Sequence, residues 1–116
     1  MKFKLIVALV DDHQTETLLK TAREAGATGD TVITHARGEG LEPSKTFLGL
    51  DLSSQRDMIL LLVEEHLCRE MLEHICTACE FDETSGTGIA FQIDIEDAVG
   101  LSSQIGTISK EIEEKI

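Results

Sequence analysis

The chain states one pattern twice: an uninterrupted apolar run, a segment of helical period, a small glycine turn and then a second strand-like segment. Residues 5–10 and residues 58–63 contain no polar side chain at all. Runs so short and so apolar make strands covered on both faces, because a strand with one wet face alternates apolar and polar residues. With 116 residues and 41% of them hydrophobic, the chain can build one core but not two. Any fold for it must therefore cover both sides of a small sheet.

The remaining elements follow from local chemistry. Residues 3–10 form the first strand, ended by Asp11 and Asp12. Residues 16–25 place Leu18, Leu19, Ala22 and Ala25 on one helical side, with Asp12 or Thr15 as the N-cap and Gly26 as the stop. Residues 31–36 read as a second strand. Residues 38–55 are polar and small, hold the only proline, Pro43, and enclose a patch of Phe47, Leu48 and Leu50. A connection of that length within one domain is usually functional or disordered. A third strand at 58–63, a helix at 67–79, a glycine turn at 83–88 and a fourth strand near 89–95 complete the order.

That order is β-α-β-β-α-β, an α+β, ferredoxin-like sandwich with both helices on one face of a four-stranded antiparallel sheet. The domain spans residues 1–101, and residues 102–116 add a short C-terminal helical extension striped with Ile105, Ile108, Ile112 and Ile116. The plan leaves one sheet face bare, yet the apolar runs give that face no polar residues. Burying even ~400 Å² of such surface contributes on the order of 10 kcal/mol before association entropy is subtracted. Self-association through the open face is the expectation, with coverage by the C-terminal segment as the alternative.

A formal charge of −12 argues against nucleic-acid binding, which draws its affinity from Lys and Arg. There is no run of 18 apolar residues, so no membrane insertion is expected, and cytoplasmic location is the default. Three cysteines, Cys68, Cys76 and Cys79, leave one unpaired in any internal disulfide scheme and fit a reducing compartment. On the helix they fall on or beside the apolar face of Leu67, Met71, Leu72 and Ile75, the place of small buried hydrophobes. His66, Glu70 and His74 stand four residues apart on one helical stripe, a spacing that also suits a metal ion. They define an alternative metal-binding reading, to which Cys76, Cys79 and His35 could add, although one regular helix cannot aim all of them at one spot. No local Ser-His-Asp, Cys-His or paired-carboxylate arrangement points to catalysis.

Three segments in register carry a family resemblance. They are Gly26-Ala27-Thr28-Gly29-Asp30-Thr31-Val32, then Arg37-Gly38-Glu39-Gly40, then Gly86-Thr87-Gly88-Ile89-Ala90-Phe91 followed by Ile93-Asp94-Ile95-Glu96-Asp97-Ala98-Val99. With the strand order, the chain resembles the PII signal-transduction superfamily over nearly all of its length to about Leu101. The resemblance implies a non-enzymatic homotrimer with an adenine nucleotide (AMP, ADP or ATP) as effector in a cleft between subunits. It also implies a long loop that docks onto a regulated partner such as a membrane transporter or enzyme. The implied nucleotide contacts are Gly29, Thr31, Arg37, Gly38, Gly40, Gly86, Thr87 and Gly88. The implied partner contacts are Phe47, Leu48 and Leu50 as anchors, with Glu42 and Lys45 setting register; the alternative, that these anchors cover the protein's own core edge, stays open. A metal-handling trimer of the divalent-cation-tolerance type shares this topology and is the second reading.

Departures from the family pattern bear on the ligand. Ile89 stands where typical members carry a lysine, Gly100 and Ser102 where two arginines follow the fourth strand, and Leu41 and Glu42 replace an Arg-Gln pair. Each missing charge-assisted bond is worth about 1.5–3 kcal/mol, which favours a less charged ligand than a triphosphate. The chain has no tyrosine, so control by tyrosine nucleotidylation is excluded. The second strand is one residue longer than usual before Gly38, which points to a bulge.

Overall fold

The structure is a computed structural model describing residues 2–27, 29–36, 46–47, 50–51, 56–83 and 88–100. In chain order the elements are β1 (Phe3–Asp11), a 3-10 turn (Asp12–Gln14), α1 (Thr15–Glu24), β2 (Thr31–Ala36), β3 (Thr46–Phe47), β4 (Leu50–Asp51), β5 (Arg56–Glu64), α2 (Glu65–Ala78) and β6 (Gly88–Asp94). The four long strands form one antiparallel sheet in the order β2-β5-β1-β6, so the expected plan is the observed one. The long connection, expected without regular structure, carries a small antiparallel ribbon of β3 and β4 in which Phe47 pairs Leu50.

Strand parity divides the sheet into two faces. On one face the rows Val32-Ile59-Ala8-Ala90 and Leu61-Ile6-Gln92 lie under the helices. Ile6, Ala8, Val10, Ile59, Leu61 and Val63 from the sheet meet Leu18, Leu19 and Ala22 of α1 and Cys68, Met71, Ile75 and Cys79 at α2 in the core. Both helices bury an apolar stripe at the i, i+3, i+4 spacing that their sequences carry.

Helix boundaries follow two different rules. Neither Asp12 nor Thr15 caps α1 with a side-chain hydrogen bond, which corrects the sequence expectation. The chain instead winds through the 3-10 turn into the helix, and the Thr15 hydroxyl is used elsewhere: it donates to Asp57 Oδ2 at 2.6 Å, buried. Gly26 does end α1, at φ +112°, with Gly26 N–H donating to the Arg23 carbonyl and Ala27 N–H to that of Ala22. The same paired bonds close α2, but there Glu80 takes the left-handed conformation at φ +55°. Gln14 Nε2 donates to the Cys79 carbonyl at 3.3 Å, tying the start of α1 to the end of α2.

Among the described residues no helix lies over the other face. Three largely apolar rows cross its middle, Ile33-Met58-Leu9-Ile89, Thr31-Leu60-Val7-Phe91 and Leu62-Leu5-Ile93, and the row Ala36-Arg56-Asp11 borders them at one end. Ile33 is 45%, Phe91 39% and Ile93 45% exposed, values that core residues do not reach. The C-terminal extension expected at 102–116 lies outside the described residues.

Candidate functional site

Antiparallel pairing brings four chain ends to one edge of the sheet. Ala36 at the end of β2 lies opposite Arg56 at the start of β5, Arg56 lies opposite Asp11 at the end of β1, and Val10 lies opposite Gly88 at the start of β6. The roots of the 37–55 connection and the second glycine turn therefore share one end of the molecule. Ala36 and Gly88 stand on the two outer strands, however, with three strand spacings between β2 and β6, or roughly 14 Å, while Arg56 lies on the inner strand β5. Gly29 and Thr31 sit on the β2 side, where Thr31 opens the strand opposite Leu60.

Among the candidate nucleotide contacts, Gly29, Thr31 and Gly88 are thus placed, while Arg37, Gly38, Gly40, Gly86 and Thr87 lie outside the described residues. Gly88 is the first residue of β6 rather than part of the turn. A Cβ there would stand 2.6 Å from Phe81 Cε1, 2.8 Å from the Leu9 carbonyl oxygen and 2.9 Å from Val10 Cγ1. Gly29 has open space around it. Of the candidate partner contacts, Phe47 and Leu50 are register partners in the β3-β4 ribbon. Glu42, Lys45 and Leu48 lie outside the described residues.

The root of the connection holds charge that sequence reasoning missed. The Arg56 guanidinium, in a residue only 6% exposed, lies against the Asp11 carboxylate on the helix-free face. The next residue, Asp57, points to the helix face and takes the Thr15 hydroxyl bond. The signal was present: charged pairs, Asp11-Asp12 and Arg56-Asp57, bound the two apolar runs, and antiparallel pairing sets those ends side by side. On the facing strand, His35 adopts φ +59° and the pairing register shifts between Ile33 and Ala36, which is the bulge the extra residue predicts.

The alternative metal residues do not converge. His66 pairs with Glu64 at 3.8 Å and His74 with Glu70 at 4.0 Å, each on the solvent side of α2. Among the described residues no three His, Cys, Asp or Glu side chains stand close enough to hold a metal ion.

All three thiols are pushed above the ordinary cysteine value. Cys68 and Cys79 are buried, and desolvation pushes both thiols up, with the nearby Cys76 adding to the shift at Cys79. Cys76 is partly exposed, and its thiol donates to Asp82 Oδ2 at 3.1 Å, the main cause of its raised pKa. Alkylation by iodoacetamide at about pH 8 should therefore reach Cys76 alone, and slowly, because only the thiolate reacts. Asp82→Asn should speed it severalfold; an unchanged rate, read by mass spectrometry over time, would rule out Asp82 as the cause.

The model of the nitrogen regulatory protein P-II family matches residues 3–104. Among solved structures, the chain is similar to the apo form of CPII from Thiomonas intermedia K12, a nitrogen regulatory PII-like protein. The likeness covers 82% of this chain and 90% of that one, with 21% identity and a TM-score of 0.63. A PII-like signaling protein from Thermus thermophilus matches at 22% identity and a TM-score of 0.58, covering 82% of this chain and 91% of that one. CPII bound to ADP, AMP and acetate matches at 22% identity and a TM-score of 0.59, covering 84% of this chain and 94% of that one. No curated protein matches. At these identities the structural likeness speaks for the fold.

Proposed function

The chain belongs to the nitrogen regulatory protein P-II family, and from that premise we propose that it is a non-enzymatic signalling protein. On this reading it works as a homotrimer, takes an adenine nucleotide in a cleft between subunits, and controls a protein partner through residues 38–55. The partner class that fits is a membrane transporter or an enzyme. No helix among the described residues is long and apolar enough to cross a membrane, so such a transporter would be met from outside the bilayer.

One observation carries the reading: Ala36, the β2 root of the connection, and Gly88 share one end of the sheet but lie on its two outer strands. A single copy cannot close both around one small molecule. Two copies that set the β2 side of one against the β6 side of the next can. Association through the helix-free face, with its rows of leucine, valine, isoleucine and phenylalanine, supplies the driving force for such an arrangement.

The chemistry of the candidate residues sets the ligand class. Backbone N–H groups at glycine turns favour phosphate, but Ile89 and Gly100 supply no cation where typical members have one. AMP or ADP is accordingly favoured over ATP; CPII, the structural neighbour, has been crystallised with ADP and AMP. Calorimetric titration of the oligomer with AMP, ADP, ATP and cyclic AMP, with and without Mg²⁺, tests this directly. Saturable binding is expected for AMP or ADP, with ATP weaker by about tenfold or more for each missing cation. No heat from any of the four at millimolar concentration would end the nucleotide reading. For the partner reading, a pull-down that retains its partner after deletion of residues 42–51 would remove the connection as the docking element.

A further inference from the structure

We propose that the chain between β2 and β5 is jointed at one root only: the bulge at Thr34 and His35 is a movable joint with two registers, while Arg56 and Asp57 form a fixed root. This inference does not depend on what the cleft binds.

The bulge defines the joint. Ile33 lies opposite Met58 and Ala36 opposite Arg56, so three steps along β2 face two along β5. The surplus residue is accommodated by His35 in the left-handed region, at φ +59°, with its side chain exposed. No glycine fixes the surplus there, and Cβ opposes that conformation. If the surplus moves beyond Ala36, regular pairing sets Thr34 opposite Asp57 and His35 opposite Arg56. Period-two geometry then turns Ala36, and the direction in which the chain leaves the strand, to the other face.

Each register carries its own cost. In the bulged one, His35 sits in a strained backbone conformation but keeps its imidazole in solvent. In the regular one, the strain is gone but the imidazole is laid on the face where the Arg56 guanidinium and Asp11 carboxylate are already packed. Opposed costs of similar kind make a two-state element rather than a flexible tail.

The other root has no such freedom. Arg56 and Asp57 are consecutive, 6% and 7% exposed, and held on opposite faces: one to Asp11 at the end of β1, the other to Thr15 in the first turn of α1. Rotation there would break both contacts at once. β5 is moreover an inner strand, paired with β1 and β2 at this very residue.

Relaxation-dispersion NMR on the full chain tests the proposal. Amides of Thr34, His35 and Ala36 should show microsecond-to-millisecond exchange with a minor state of roughly 1%, while Val10 and Thr15, which flank the fixed root on its other sides, stay flat. His35→Gly removes the opposition of Cβ to the left-handed conformation, so the minor population should fall about fivefold. Deletion of His35 removes the surplus residue and should abolish the exchange. Thr15→Val should spread exchange to Val10 and to residue 15 itself. Flat profiles at Thr34–Ala36 in the parent chain, or exchange undiminished in His35→Gly, would overturn the joint. Exchange at Val10 and Thr15 in the parent chain equal to that at Ala36 would overturn the fixed root. His35→Gly keeps the observed register, so the test stands even if the deletion does not fold.

Discussion

Gly88→Ala is expected to lower the melting temperature by about 10 °C, the consequence of adding one methyl group where the sheet has no room for it. The three nearest atoms come from two directions: the Phe81 ring from below α2, and the Leu9 carbonyl with the Val10 side chain from β1. The ring could yield by rotating. The carbonyl cannot, because β1 is held by β5 on one side and β6 on the other along nearly its whole length. Overpacking of this kind costs about 1–3 kcal/mol, a large share of the roughly 5–15 kcal/mol that holds a typical domain together. Thermal unfolding followed by circular dichroism gives the answer. Adding Phe81→Leu should restore only part of the loss, since the clash with Leu9 persists. A melting point within about 2 °C of the parent would mean that β6 can shift relative to β1 at its first residue.

The second large effect concerns assembly. Leu60→Glu should convert the proposed trimer into monomers without unfolding them. Leu60 is the inner residue of the row Thr31-Leu60-Val7-Phe91 on the helix-free face, and it takes no part in the helix-side core. A carboxylate there meets no cation, only Thr31 and apolar neighbours in its own sheet, and burial of an unpaired charge in an assembled face costs several kcal/mol for each copy. In the monomer the same group reaches water at no such cost. Sedimentation equilibrium should give one third of the parent mass, with an unchanged far-ultraviolet spectrum. A parent chain that is itself monomeric would end the trimer reading, and a Leu60→Glu variant that keeps the parent mass would place the association surface elsewhere.

How much of this was legible in the sequence depended on whether the information was local. The apolar runs at 5–10 and 58–63 announced strands apolar on both faces, and the structure sorts them into helix-side Ile6, Ala8, Ile59 and Leu61 and open-side Leu5, Val7, Leu60 and Leu62. Gly26 announced the end of α1, because the left-handed position there suits a residue without Cβ. The extra residue before Gly38 announced the bulge. The start of α1 was misread, since Thr15 has a hydroxyl fit for capping but a stronger claim on it comes from Asp57, 42 residues later. The Arg56–Asp11 contact was missed for the same reason. The β3-β4 ribbon escaped because two-residue strands have no period to detect. Of the candidate site, the sequence supplied residue types and spacing; which edge each one occupies came only from the strand order.

The strand order also bears on how the protein is made. β1 is translated first and lies inside the sheet, yet its partners are β5, beginning at Arg56, and β6, ending at Asp94. At about 5–20 residues per second, β1 waits on the order of ten seconds on the ribosome before its second neighbour exists. Through that interval one of the most apolar segments of the chain is unpaired on at least one edge. Its first contacts are non-local, so loop-closure entropy must be met before any pairing is rewarded. A nascent chain halted before Asp94 would carry an inner strand with an unsatisfied edge, and is the form of this protein that a chaperone would meet.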